Sequence, residues 1–147
     1  MKDNKSKTVY IGGSTSIGSL CSDVTEWLDF FIEENLNFII GDCPGAELAL
    51  QNYLYSREYR DVSIYRRENE SRFNIGDWKE KNICTSEDTS QSRDLMLSNC
   101  DIAFIILDGE SDETKGLIGD LRRHGIPVFI YRTDLGRIRV FRRKNRN

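Results

Sequence analysis

One histidine, His124, and four cysteines without a CxxC pair are poor material for a zinc site, which needs clustered imidazoles and thiolates. Cys21, Cys43, Cys84 and Cys100 are scattered along the chain and read as reduced, mostly buried thiols. His124 stands just before Gly125 at an expected helix end, where an imidazole faces the last carbonyls rather than a substrate. Long hydrophobic runs are also missing. The longest, residues 38–40 and 102–107, are of strand length, far short of the roughly 20 residues of a membrane helix. Residues 1–7 are polar and lysine-bearing with no apolar segment, so no secretory signal is expected. The expected location is the cytoplasm, that of the host cell if the chain is viral. No metal, cofactor or membrane partner is expected.

What is present fits one globular domain. The 147 residues are 38% hydrophobic and 31% charged, enough to bury a real core. No internal repeat or second domain is visible. The net charge of −3 is uneven, because Arg137, Arg139, Arg142, Arg143, Lys144 and Arg146 crowd the last stretch. Residues 1–134 therefore read as the domain and residues 135–147 as a basic tail or a short edge strand. The tail is open to three readings: a solvated end, a contact to nucleic acid or to an anionic ligand of a neighbouring subunit, or an arginine-guarded edge strand over the alternating residues 137–140.

Periodicity gives an alternation of strands and helices. Residues 8–11 form a first strand, followed by a helix that Ser22 can cap and whose Val24, Trp27, Leu28, Phe31 and Ile32 share one face. Residues 38–40 form a second strand and a tight turn leads into a helix burying Leu50 and Leu54. Residues 62–65 form a third strand. Residues 66–89 have few apolar side chains and read as a long functional loop. Ser90 caps a further helix with Leu95 and Met96, and residues 102–107 are apolar throughout, as in a strand covered on both faces. A helix with Leu117, Ile118 and Leu121 precedes the last strand, residues 127–131. This order predicts an α/β fold, a single Rossmann-like domain with a five-stranded parallel sheet and helices on both faces. Residues 8–11 and 102–107 are expected as central neighbours, with ligands bound beyond their carboxyl ends.

Three loops at strand ends carry the chemistry. Gly12, Gly13, Ser14, Thr15 and Ser16 offer close backbone approach, amides and hydroxyls to phosphate oxygens; without GxGxxG spacing, a plain tight turn is the competing reading. Asp42 and Gly45, with Gln51 in the next helix, could hold ribose hydroxyls or a base edge, although Asp42 could equally cap the helix. Asp108, Gly109 and Ser111, with Thr114, form the third; Glu110, Asp112 and Glu113 make it better suited to ribose hydroxyls or a base than to a lone phosphate. Within the long loop, Arg72, Asn74 and Trp78 surround Gly76. Trp78 either stacks on a base or anchors the loop, while Arg72 and Asn74 offer charge and a bidentate amide.

Taken in order, Gly13-Ser14-Thr15-Ser16-Ile17, Gly41-Asp42-x-x-Gly45 with Gln51-x-Tyr53-Leu54, Arg72-x-Asn74-x-Gly76-x-Trp78, and Asp108-Gly109-x-Ser111-x-x-Thr114 resemble a bacterial and phage family related to the SLOG and nucleoside 2-deoxyribosyltransferase-like Rossmann proteins. The resemblance implies a sheet ordered 3-2-1-4-5 and a site for nucleosides, nucleotides or ADP-ribose derivatives. Such proteins cleave N-glycosidic bonds or sense nucleotide signals, and some phage relatives act as sponges for immune signals. Enzymes of this kind carry Gly-Thr-x-x-Glu after the fourth strand. Here Glu113 precedes Thr114 and Leu117 stands at the glutamate position, and an aliphatic side chain is neither nucleophile nor base. Thr15 replaces an arginine, Glu47 an aspartate, and Arg93-Asp94 lies one residue late.

These readings favour binding of a nucleotide-derived small molecule, ADP-ribose-type or a cyclic nucleotide signal, without turnover and with no catalytic residue, in a homo-oligomeric sensor or an anti-defence sponge. The alternative is an N-glycosidase or nucleoside deoxyribosyltransferase in which Asp42, Asp94 or Glu113 takes the glutamate's role. Nucleic-acid binding through the tail is weakest, because the rest of the chain is acidic.

Overall fold

The computed structural model describes residues 7–66, 73–82, 100–109 and 112–141, with the side chains of residues 82, 112–114 and 141 left aside. The helix expected after Ser90 with Leu95 and Met96 lies outside the described residues. So do Arg72, Cys84, Arg93, Asp94, Glu110, Ser111 and the tail beyond Phe141, and the side chains of Glu113 and Thr114.

The described strands form one sheet of seven, not five. They are β1 (Thr8–Gly13), β2 (Asn37–Gly41), β3 (Val62–Arg66), β4 (Lys79–Asn82), β5 (Ile102–Leu107), β6 (Val128–Arg132) and β7 (Arg137–Phe141), in the order β4-β3-β2-β1-β5-β6-β7. The core of this order, β3-β2-β1-β5-β6, is parallel, and β1 and β5 are central neighbours as expected, with Ile11 opposite Phe104. The two added strands are edges. β4 runs parallel to β3 inside the stretch read as a loop; its residues, Lys-Glu-Lys-Asn, have no apolar period to betray them. β7 runs antiparallel to β6, so residues 137–141 belong to the sheet. Of the three readings of the basic stretch, the edge strand is the one these residues adopt.

Three described helices cover the sheet: α1 (Ser22–Glu33), α2 (Ala46–Ser56) and α3 (Asp112–Arg123). Because side chains alternate along a strand, the sheet feeds two cores. Val9, Ile11, Phe38, Ile40, Ile64, Phe104 and Ile106 meet Val24, Leu28 and Phe31 of α1 and Leu50 and Leu54 of α2. On the opposite face Tyr10, Ile39, Ala103, Ile105, Val128 and Ile130 pack with Leu121, while Leu117 and Ile118 of α3 lean on them half-buried. Trp27, Phe31, Phe104 and Phe129 pack ring to ring at centroid distances of 5.7–6.1 Å, within the range of favourable aromatic pairs.

The helix ends are partly as read. Asn35 closes α1 with φ of 62° and Gly125 closes α3 with φ of 73°, the left-handed conformation common after a helix. His124 Nδ1 lies 2.8 Å from the Asp120 carbonyl. Ser22 is not the cap, however. The N-cap of α1 is Cys21, and no side chain closes it. Among the described residues, no helix is long and apolar enough to cross a membrane, and no group of three or more His, Cys, Asp or Glu could hold a metal.

Burial leaves a mark on titration. Desolvation, with help from the Asp101 carboxylate, pushes the Cys100 thiol up to about 12. The hydrogen bond from Tyr131 to Asp23, 2.8 Å long, is the largest cause of a raised Tyr131 phenol. A group whose folded pKa is raised keeps its full contribution to stability below its unfolded pKa and loses it as pH rises. Stability is therefore expected to fall from about pH 9, by up to about 1.4 kcal/mol per pH unit for one thiol, before the tyrosines join above about pH 10. Urea unfolding at pH 8, 9 and 10 checks this, and Cys100→Ala should flatten the curve between pH 9 and 10.

Candidate functional site

The chain leaves β1 for β2 on one side of the sheet, whereas β5 leads to β6 on the other. The connections diverge between β1 and β5, the place where open α/β sheets form ligand crevices. Ser14 ties the loops there together. Its N–H donates to the Ile106 carbonyl at 2.9 Å, and its own carbonyl accepts the Ala46 N–H at 3.0 Å and the Ile17 N–H at 3.3 Å. Its hydroxyl accepts the Asp108 N–H at 3.3 Å, and Ser16 Oγ donates to the Asp108 carboxylate. One residue thus joins the loops after β1, β2 and β5.

Two glycines make this convergence possible. At Gly13 a side-chain carbon would overlap the Ile106 carbonyl. At Gly45, with φ of 89°, it would overlap the backbone of Thr15. Only residues without a Cβ allow such approach. Gly12, Gly13, Ser14, Thr15, Gly45, Asp108 and Gly109 therefore lie on strand ends and loops that converge at one end of the sheet, with Thr15 and Ser16 exposed. Asp42 lies at the end of β2, only 7% exposed. It does not cap α2: the N-cap is Gly45, and no side-chain cap hydrogen bond is made.

The site combines donors with acceptors. α1 and α2 both begin at this end of the sheet with no side-chain cap hydrogen bond, and their dipoles favour an anion, which Asp23 and Glu47 in their first turns oppose. The carboxylates of Asp42 and Asp108 beside them suit hydroxyl donors. A ligand carrying both phosphate and sugar hydroxyls matches that mixture.

The carboxylate of Glu47, a residue the sequence does not mark as part of the site, occupies the space above two strand-end glycines. Oε1 accepts the Cys43 N–H at 2.9 Å. A Cβ at Gly41 would come within 2.5 Å of Oε1, and one at Gly12 within 2.9 Å of the Tyr10 hydroxyl and 3.6 Å of Glu47 Oε2. The sequence signal was the pair of glycines at equivalent strand ends, which gains meaning only once β1 and β2 are aligned.

The Asn74-x-Gly76-x-Trp78 motif has an inward geometry. Trp78 is 5% exposed, part of the first core, and its Nε1 donates to the Tyr59 carbonyl at 2.9 Å. Gly76 lies so close to the indole that a Cβ would overlap it. Asn74 accepts the Trp78 N–H at 2.9 Å and donates to the Trp78 carbonyl at 2.9 Å and to Glu80 at 2.8 Å. Gln51, fully buried, donates to the carbonyls of Gly41 and Phe73, both at 3.1 Å, and accepts the Ile75 N–H at 2.9 Å. Of the two roles open to Trp78, the structure has the anchor. Gln51 fastens residues 73–75 to the end of β2, Asn74 closes the turn on Trp78, and both amides satisfy backbone groups that burial would otherwise leave unpaired.

Comparison with protein-family models, with curated proteins and with solved structures finds no match to this chain.

Two contrasts test the geometry. Gly13→Ala should destabilise by about 1–3 kcal/mol, the scale of overpacking, because the obstructing atom is backbone. Gly109→Ala, where a Cβ meets nothing within 4 Å, should stay within about 0.5 kcal/mol of the parent. Trp78→Ala should cost about 3–5 kcal/mol and weaken amide-exchange protection in β4. Urea unfolding reads the energies and hydrogen exchange reads the strand.

Proposed function

We propose that the crevice binds a nucleotide-derived small molecule, of ADP-ribose or cyclic-nucleotide type, and does not turn it over. A sensor of such a molecule, or a sponge that withdraws an immune signal, would need no more. The observation that carries the reading is Ser14, which ties the loops after β1, β2 and β5 to one another at the start of α2. Binding needs donors, acceptors and shape, and the amides, hydroxyls and carboxylates of the converging loops support the first two.

Cleavage at an anomeric carbon needs in addition a placed carboxylate to stabilise or trap an oxocarbenium-like centre. In the enzymes that the sequence resembles, that group is a glutamate three residues after the threonine of the last βα loop. Here that position is Leu117, which leans on the core of the sheet. A second reading, an N-glycosidase or deoxyribosyltransferase, is favoured by the carboxylates of Asp42 and Glu47 at the strand ends.

Thermal-shift and calorimetric titration with ADP-ribose, NAD, cyclic dinucleotides and nucleoside monophosphates should find at least one that raises the melting temperature by the mass action of native-state binding. Asp108→Ala should weaken that ligand by about 1.5–3 kcal/mol, the scale for a hydrogen bond to a charged group. Chromatography after long incubation should recover the ligand intact. Steady release of free base that disappears in Glu47→Gln would replace the binding reading with the enzymatic one.

A further inference from the structure

A cavity of about 490 Å³ lies at the amino ends of β1 to β4 and runs onto the sheet face that carries Ile39 and Tyr65. The loops around Ser14 are at the opposite, carboxyl end of the strands. The volume is that of a small-molecule site. Of the described helices, α3 packs on this face, and it does so against β6.

Strand register decides which side chains enter the cavity. Ile39 of β2, Ser63 of β3 and Lys79 of β4 are aligned, and so are Gly41, Tyr65 and Lys81. Ile39 and Tyr65 belong to the second core, whereas Trp78, one residue before Lys79, belongs to the first. Alternation along the strands therefore puts Ser63, Tyr65, Lys79 and Lys81 on one face. They form a block about 5 Å across the strands and about 7 Å along them. All four line the cavity, with Arg60, Asp61 and Asp77 from the turns before β3 and β4.

The cations here have few partners. Lys81 Nζ lies 6.0 Å from the centroid of the Tyr65 ring. Among the described residues, neither Lys79 nor Arg60 forms an ion pair. Glu80, between the two lysines in sequence, points to the other face and pairs with Arg66 at 3.0 Å. Two ammonium groups on one strand face repel each other, and a dianion shared between them removes that repulsion. A phosphate group has the charge and the acceptor oxygens for two lysines and a serine hydroxyl. Asp61 and Asp77 oppose a bare anion and accept hydrogen bonds from hydroxyl groups. The mixture fits a phosphate joined to a hydroxyl-bearing remainder.

We propose that this cavity binds a small phosphate ester of a polyol, with Lys79, Lys81 and Ser63 on the phosphate and Asp61 and Asp77 on the hydroxyls. Arg60 adds to the attraction for the anion. The cavity lies apart from the strand-end crevice and does not depend on the ligand proposed for it.

Titration of the full chain with ribose 5-phosphate, followed by amide shifts in nitrogen-15 spectra and by calorimetry, tests the assignment. Saturable binding is expected, with shifts at residues 60–65 and 77–81, and ribose without the phosphate should not bind. Lys79→Gln and Lys81→Gln, both at exposed positions, should each weaken binding at least tenfold, the scale of one hydrogen bond to a charged group. Arg137→Gln, which removes a charge at the far edge of the sheet, should leave binding unchanged. Absence of binding up to about 10 mM, or shifts confined to residues 12–16 and 108–109, would overturn the proposal. So would equal weakening by Arg137→Gln, which marks general attraction to charge, or full affinity in the Lys79→Gln, Lys81→Gln double variant.

Discussion

The rest of the molecule depends on how closely the end of β1 approaches β5. Gly13 lies against the Ile106 carbonyl, with no room for a side-chain carbon, and the next residue, Ser14, hydrogen-bonds that same carbonyl. This pairing is the centre of the sheet, because the chain builds outward from it in both directions. It is also the point where the connections leave for opposite faces. A single close contact thereby sets the order of the strands and the position of the crevice. The turn after β2 is drawn in by the same logic, with Gly45 against Thr15 and the Ala46 amide on the Ser14 carbonyl.

Polar groups that look ready for a ligand divide into two kinds once their partners are known. Asn74 and Gln51 carry amides well suited to reading a base, yet they bond backbone groups and Glu80. A segment that adds a short, polar strand to a sheet edge has little apolar area to hold it. Amide bonds and one buried indole supply the difference, and an ion pair between Arg66 and Glu80 at 3.0 Å supports them from β3. The groups around Ser14 are of the other kind. They join loops to one another and leave the first turns of α1 and α2 without a side-chain cap.

An aromatic cluster lies under α1. Trp27, Phe31, Phe38 and Phe104 close the core over β1, β2 and β5. The row continues through Phe129 and the buried Tyr131 of β6, and exposure rises only at the β7 edge, where Val140 is 40% exposed.

The strand and helix alternation, the central place of β1 and β5 and the buried rows of α1 and α2 were legible in the sequence. They rest on local patterns of apolar residues, which backbone geometry converts directly into faces. The α/β class and the clustering of the strand-end loops followed from topology, since parallel strands joined by helices bring their carboxyl ends together. Other features were decided only by tertiary structure. β4 has no apolar period; it pairs with β3 through its backbone and the Arg66–Glu80 ion pair, while the buried Trp78 and the amides of Gln51 and Asn74 hold the segment that leads into it. The roles of Gln51, Asn74 and Trp78 depended on which carbonyls lay nearby, and hydrogen-bonding capacity in a sequence does not say with whom it is satisfied. Glu47 acquired its place when two glycines from different strands aligned beneath it. Ser22 looked like a helix cap because its type suits one, but the chain enters α1 one residue earlier, at Cys21. Local periodicity determines which residues turn inward; the pairing of distant segments determines which polar groups remain for something else to bind.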